Sequence, residues 1–121
     1  MPNECSNYIT IKFNLQNDAD DFVNDFFKNY EGGRDKRLSR KGTYGVIVGV
    51  ITPWGPDVEW LLKILDKYHK CWIKTEWNEG GGIAGVWVGY YKDGEKVIHE
   101  MEWPDLTTED LCFLFGDRQI E

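Results

Sequence analysis

The change of hydrophobic period inside residues 51–91, ITPWGPDVEWLLKILDKYHKCWIKTEWNEGGGIAGVWVGYY, constrains this chain more than any other feature. Val58, Leu61, Leu62, Leu65 and Tyr68 recur at i, i+3, i+4, i+7 and i+10, one apolar stripe on a helix of about 13 residues. Gly55 and Pro56 announce it, because Pro at a first helical position gives up a donor that has no partner there. The period then drops to two. Over residues 71–77, Ile73, Thr75 and Trp77 alternate with Trp72, Lys74 and Glu76; NEGGG turns the chain, and residues 83–91 return beside it.

The flanks extend this pattern. Ile9, Ile11, Phe13 and Leu15 alternate with Tyr8, Thr10, Lys12 and Asn14, which predicts a strand over residues 5–15. Asn17 or Asp18 caps a helix bearing Ala19, Phe22, Val23, Phe26, Phe27 and Tyr30, and Gly32 with Gly33 stops it. Residues 32–43, with RDKRLSRK at 34–41, show neither period and read as a mobile basic surface loop. The β-branched run at 44–52 suits a central strand buried on both faces. KDGE at 92–95 is a tight hairpin turn into a strand over 96–103, where Val97, His99, Met101 and Trp103 form the apolar set. Pro104 ends that strand, and Thr107 with Asp110 resembles the capping box of a short last helix. The expected architecture is one α+β domain over residues 1–121, a two-layer ferredoxin-like sandwich. It has about five mostly antiparallel strands, two main helices on one face and a short C-terminal helix.

Charge narrows the choice of partner. Against 14 Lys and Arg stand 21 Asp and Glu, a net of −7. Residues 34–41 hold five bases and one acid, or +4, which leaves −11 for the remainder. Residues 93–121 hold nine acids and two bases. A body this acidic repels phosphate backbones, so the expected partner is a host protein with a basic, nucleic-acid-binding surface, with no direct nucleic-acid binding as the main activity. Three scattered cysteines, no basic-then-apolar start and no long apolar run point to a host-cell cytoplasm and no membrane.

Three stretches carry a resemblance. MPNECSNYITI is similar to the start of the YubB-like family of ferredoxin-like proteins carried by bacteriophages, plasmids and integrated elements. ITPWGPDVEWLLKILDKY resembles that family's aromatic-Pro turn into its helix, and TEWNEGGGIAG its acidic, glycine-rich turn. Glu4 replaces a usual Trp, Ile83 a common Phe, and the short basic segment stands in place of a long middle insertion. The resemblance implies a fold and a mobile-element origin, and no catalytic residues.

Each chemical motif has a plainer explanation. Gly80, Gly82 and Gly85 satisfy GxGxxG, yet VWVGYY, which follows, reads as strand, whereas a dinucleotide site needs a helix N-terminus there. His69 with Cys71, and His99 with Glu100 and Glu102, lack the paired spacings of a zinc site. Glu76, Glu79, Glu100 and Glu102 show no sign of environments that would split their pKa values, and Cys5 has no adjacent base. No cofactor is expected and the chain reads as a non-enzyme.

What remains is surface. Six Trp in 121 residues must be shared between two sheet faces, and a face without a helix layer would present aromatics to a partner. The expected partner-binding set is Glu100, Glu102, Asp93, Glu95, Asp105, Trp87 and Tyr91, with Arg34 and Arg37 at its edge. Acting through them, a small mobile-element protein would bind and inhibit a host defence complex such as a CRISPR effector. The alternatives are a small-ligand or nucleotide pocket at the Gly80 to Gly85 turn and a homodimeric accessory protein without a host target.

Overall fold

A computed structural model describes residues 3–104, apart from 69 and 81. The elements are β1 (Glu4–Lys12), α1 (Gln16–Asn29), β2 (Arg34–Lys41), β3 (Gly45–Pro53), α2 (Val58–Lys67), β4 (Trp72–Glu79), β5 (Ile83–Lys92) and β6 (Glu95–Pro104). All pair antiparallel in one six-stranded sheet of order β2-β3-β1-β4-β5-β6. This overturns the expected five-stranded ferredoxin-like sandwich. The added strand is β2, formed by the basic segment that was expected to be a loop. The expected C-terminal helix, with Asp105 and Cys112, lies outside the described residues, as does His69.

Two irregularities explain why β2 escapes a period-two reading. The β2–β3 register shifts between Arg34 and Arg37 and again between Leu38 and Arg40. Each extra residue resets the alternation. Arg34, Arg37 and Arg40, three apart in sequence, therefore stand opposite Ile51, Gly49 and Ile47, which are two apart on β3 and share one face. Leu38 and Lys41, opposite Val48 and Val46, point to the other.

Both helices cover that other face. Ile9, Ile11 and Phe13 from the β1 segment, Val46, Val48 and Val50 from β3, Ile73 from β4 and Trp87 from β5 pack beneath Ala19, Phe22, Phe26, Leu61, Ile64 and Leu65 of the helices. β3 was expected to be buried on both faces; Ile47 and Ile51 are instead only half-buried on the side without helices. Between the helices, Trp60 stacks on Tyr30 with ring centroids 3.9 Å apart, and the Tyr30 hydroxyl donates to Asp57 Oδ2 at 2.8 Å. Asp57 caps α2 by accepting from the Trp60 backbone N–H at 3.2 Å, so Pro56 precedes the helix instead of opening it. α1 likewise starts at Gln16, one residue before the expected caps. Its C-terminal end is held by Lys36 of β2, whose Nζ donates to the carbonyls of Phe26, Phe27 and Tyr30 at 2.9–3.0 Å, a cation at the negative end of the helix dipole.

Three polar side chains are buried among the described residues, Asn7, Thr52 and Thr75, and the first two are bonded to each other. Asn7 is buried, and its Nδ2 donates to the carbonyls of Cys5 and Val50 and, at 2.8 Å, to Thr52 Oγ1. Thr52 in turn donates to the Gly55 carbonyl at 2.6 Å. These bonds join β1, β3 and the turn into α2, with the buried amide satisfied.

Candidate binding face

Both described helices pack on one side, so among the described residues alternate positions of all six strands form an open face. Antiparallel register arranges them in rows. One row runs Arg37, Gly49, Tyr8, Glu76, Val86, Met101, and its neighbour runs Arg34, Ile51, Ser6, Asn78, Ala84, Trp103. Beyond these, Trp72 of β4 stands opposite Tyr90 of β5, whose ring lies 6.1 Å from that of His99 on β6. Tyr8 is 46% and Trp103 40% exposed, and Trp72 and Tyr90 are half-buried. A shallow trough of about 650 Å³ lies on this face, lined by Ser6, Tyr8, Arg37, Glu76, Asn78 and Trp103 among others.

The face differs in charge from the chain as a whole. Among the described residues the register places six bases on it, Lys12, Arg34, Arg37, Arg40, Lys74 and Lys92, against three acids, Glu4, Glu76 and Glu95; with the bulge residue Asp35, whose carboxylate meets Arg34, the net is +2. Arg34 pairs with Glu4 and Asp35, and Lys74 with Glu76 at 3.0 Å. Arg37, Arg40 and Lys12 have no ion-pair partner among the described residues. The acids of α1 and α2 lie on the opposite side, where several are engaged internally: Asp20 with Lys41, Asp21 with Lys67 and the Tyr68 hydroxyl, Asp66 with Lys96 and the Tyr91 hydroxyl. Net charge from composition therefore misrepresents the open face.

The expected partner-binding residues do not form one surface. Trp87 is 1% exposed beneath the helices and is core, out of a partner's reach. Tyr91 and Lys96 both hold Asp66 of α2, which makes Tyr91 an anchor between β5 and that helix. Glu100 and Glu102 stand opposite Trp87 and Gly85 and so point to the helix side of the edge strand, while Asp93 and Glu95 sit at the β5–β6 turn. Of the expected set, Arg34, Arg37 and, beside the β5–β6 turn, Glu95 belong to the open face. His99, expected as a hydrogen-bonded core or edge histidine, stands on the edge strand β6, exposed on that face with its Nε2 3.4 Å from the Tyr90 hydroxyl. Sequence reasoning missed Tyr8, Trp72, Tyr90, Trp103 and Arg40 as a set. The signal was present in the half of each alternation opposite the aliphatic residues, and in the three-residue arginine spacing.

The remaining candidates resolve into structure. Burial pushes the Cys5 thiol up to about 11 and the Cys71 thiol up to about 12, which suppresses the thiolate a nucleophile needs. The GxGxxG glycines belong to the β4–β5 hairpin: Gly82 has φ +94° in the turn, and Gly85 lies under the Trp77 indole. β5 begins at Ile83, so no helix N-terminus follows them. Among the described residues there is no group of three or more His, Cys, Asp or Glu side chains placed to hold a metal ion. No described helix is long and apolar enough to cross a membrane.

No family model, curated protein or solved structure matches this chain. Its own geometry is the ground on which function is read.

Proposed function

We propose that this protein is a non-catalytic binding module, made by a bacteriophage or other mobile element and acting in the host cytoplasm on a complex that handles nucleic acid, such as a defence effector. Its recognition surface is the open face of the sheet. The observation that carries this reading is the exposure of Tyr8, Trp103 and Met101 on the same sheet face as Arg37 and Arg40, which have no ion-pair partner and no covering helix among the described residues. Aromatics and arginines are the side chains that most often dominate binding energy.

Affinity capture from a host lysate tests it. Wild-type protein is expected to enrich nucleic-acid-handling proteins, and a Tyr8→Ala, Trp103→Ala double variant of unchanged circular dichroism is expected to lose them. Equal capture by both would refute the open face as the recognition surface.

A further inference from the structure

The occupant of the open face is constrained by three features that coincide there: a ladder of guanidinium groups, stacking surfaces, and a trough with polar side chains on its floor. We propose that the face binds single-stranded nucleic acid, with the phosphate backbone along Arg34, Arg37 and Arg40 and bases laid on Tyr8 and across the trough toward Trp103. This inference rests on the open face being the recognition surface, and names what reaches it.

The ladder comes first. The two bulges of β2 place its three arginines opposite every second residue of β3, so they recur about every 7 Å along the strand. That repeat suits successive phosphates of an extended strand, and a single point charge or one small anion would not use all of it. Arg37 lies over Gly49, where a Cβ would stand 3.3 Å from its Nη2; the absent side chain leaves the guanidinium flat against the sheet and next in the row to Tyr8. A base stacked on Tyr8 thus has a cation on its backbone side. Aromatic stacking is tolerant of sequence, because every base offers a π-face. Along the trough, Ser6, Glu76 and Asn78 present hydrogen-bonding groups that base edges can meet, and Trp103 closes the far end.

Charge selects an anionic occupant, and the exposed rings favour a single strand over an acidic protein segment and over a duplex. The described face is +2 within a chain of −7, and the helix-side acids stand behind the sheet. A helix is about 10 Å across, more than the Debye length of about 8 Å at physiological salt, so charges on its outer surface are largely screened from the open face. An acidic peptide would satisfy the arginines but leave Tyr8 and Trp103 without planar partners. A duplex would satisfy them too, with its bases already stacked on one another.

Fluorescence anisotropy of the full chain with labelled oligo(dT) and oligo(rU) of about 15 nucleotides provides the test. With three phosphates neutralised, the dissociation constant is expected to rise about 20-fold between about 50 and about 200 mM salt. Arg37→Ala with Arg40→Ala should weaken binding and reduce that rise to about threefold. Tyr8→Ala should weaken binding about fivefold or more and leave the salt dependence intact. A duplex of the same length should bind more weakly than either single strand.

Absence of binding to both single strands at about 50 mM salt would overturn the proposal, as would affinity unchanged by the arginine pair. Competition by poly-glutamate as effective as by unlabelled oligonucleotide would assign the face to an acidic protein instead. Nuclease treatment separates this failure from that of the reading beneath it. Capture of the host complex that needs Tyr8 and Trp103 but survives nuclease, with no oligonucleotide bound, overturns the nucleic-acid assignment alone; capture indifferent to those residues overturns the recognition surface itself.

Discussion

A Cβ placed on Gly49 would stand 3.3 Å from Nη2 of Arg37 and 3.4 Å from its Nε, so the guanidinium fills space that a β3 side chain would otherwise take. Gly49→Val should therefore push Arg37 off the sheet while suiting a central strand. Unfolding free energy should stay within about 1 kcal/mol of wild type. Oligonucleotide affinity should fall several-fold. Urea titration and anisotropy measure the two; undiminished affinity would show that the seat of Arg37 over β3 is irrelevant to binding.

Gly85 has a different reason to be glycine. A Cβ there would lie 2.4 Å from Cζ2 of Trp77 and 2.7 Å from the Met101 carbonyl, and the latter is backbone that cannot swing aside. Gly85→Ala is expected to cost about 1–3 kcal/mol by overpacking. In a Trp77→Leu background the penalty should shrink. Chemical denaturation of the four proteins of that cycle checks both statements, and a wild-type midpoint for the single variant would contradict the packing.

Thr75 and Trp87 face each other across β4 and β5, and Thr75 Oγ1 and Trp87 Nε1 are buried without a hydrogen-bond partner among the described residues. An unsatisfied buried polar group costs about 1–3 kcal/mol. Thr75→Val removes one of them at nearly constant shape and should raise stability by about 1 kcal/mol. Loss of stability in thermal denaturation would mean that the hydroxyl is bonded in solution.

Burial raises the thiols of Cys5 and Cys71 from 9.0 to about 11 and about 12. A raised folded-state value means that their contribution is intact below pH 9 and is lost as pH climbs through the folded values. Native protein near neutral pH should therefore leave both residues unmodified by iodoacetamide, and urea should expose both. Peptide mapping by mass spectrometry reads this directly; rapid native labelling of either cysteine would contradict its burial.

Asp21 governs the acid side. The Tyr68 hydroxyl, and after it Lys67, hold its carboxyl below the usual value. Its contribution is present above the unfolded value of about 3.9 and disappears as pH falls through the lower folded one. Asp21→Asn should leave a shallower loss of stability below about pH 4 than wild type shows. Identical acid unfolding curves would remove Asp21 from the account.

Most of the elements were legible because their signals are local. Alternation at Ile9, Ile11 and Phe13, the stripe from Leu61 to Tyr68, and the Asp93-Gly94 turn each follow from backbone geometry over a few residues. β2 was not, because two bulges erase its period, and bulges form only where a partner strand supplies the register. The candidate site was less legible still. Trp87 and Trp103 look alike as aromatic members of two strands, yet one is core and the other exposed.

The amino-acid sequence by itself settled that helices and antiparallel strands would form, where the chain turns, and that the whole would be acidic. Only the tertiary structure decided which half of each alternation met the helices, and with it that Arg34, Arg37 and Arg40 join Tyr8 and Trp103 on one basic face within a negative protein. The reason is physical: period and propensity act along the chain, whereas the grouping of charges and rings on a sheet depends on strand order and register. Those are fixed by contacts between residues far apart in sequence.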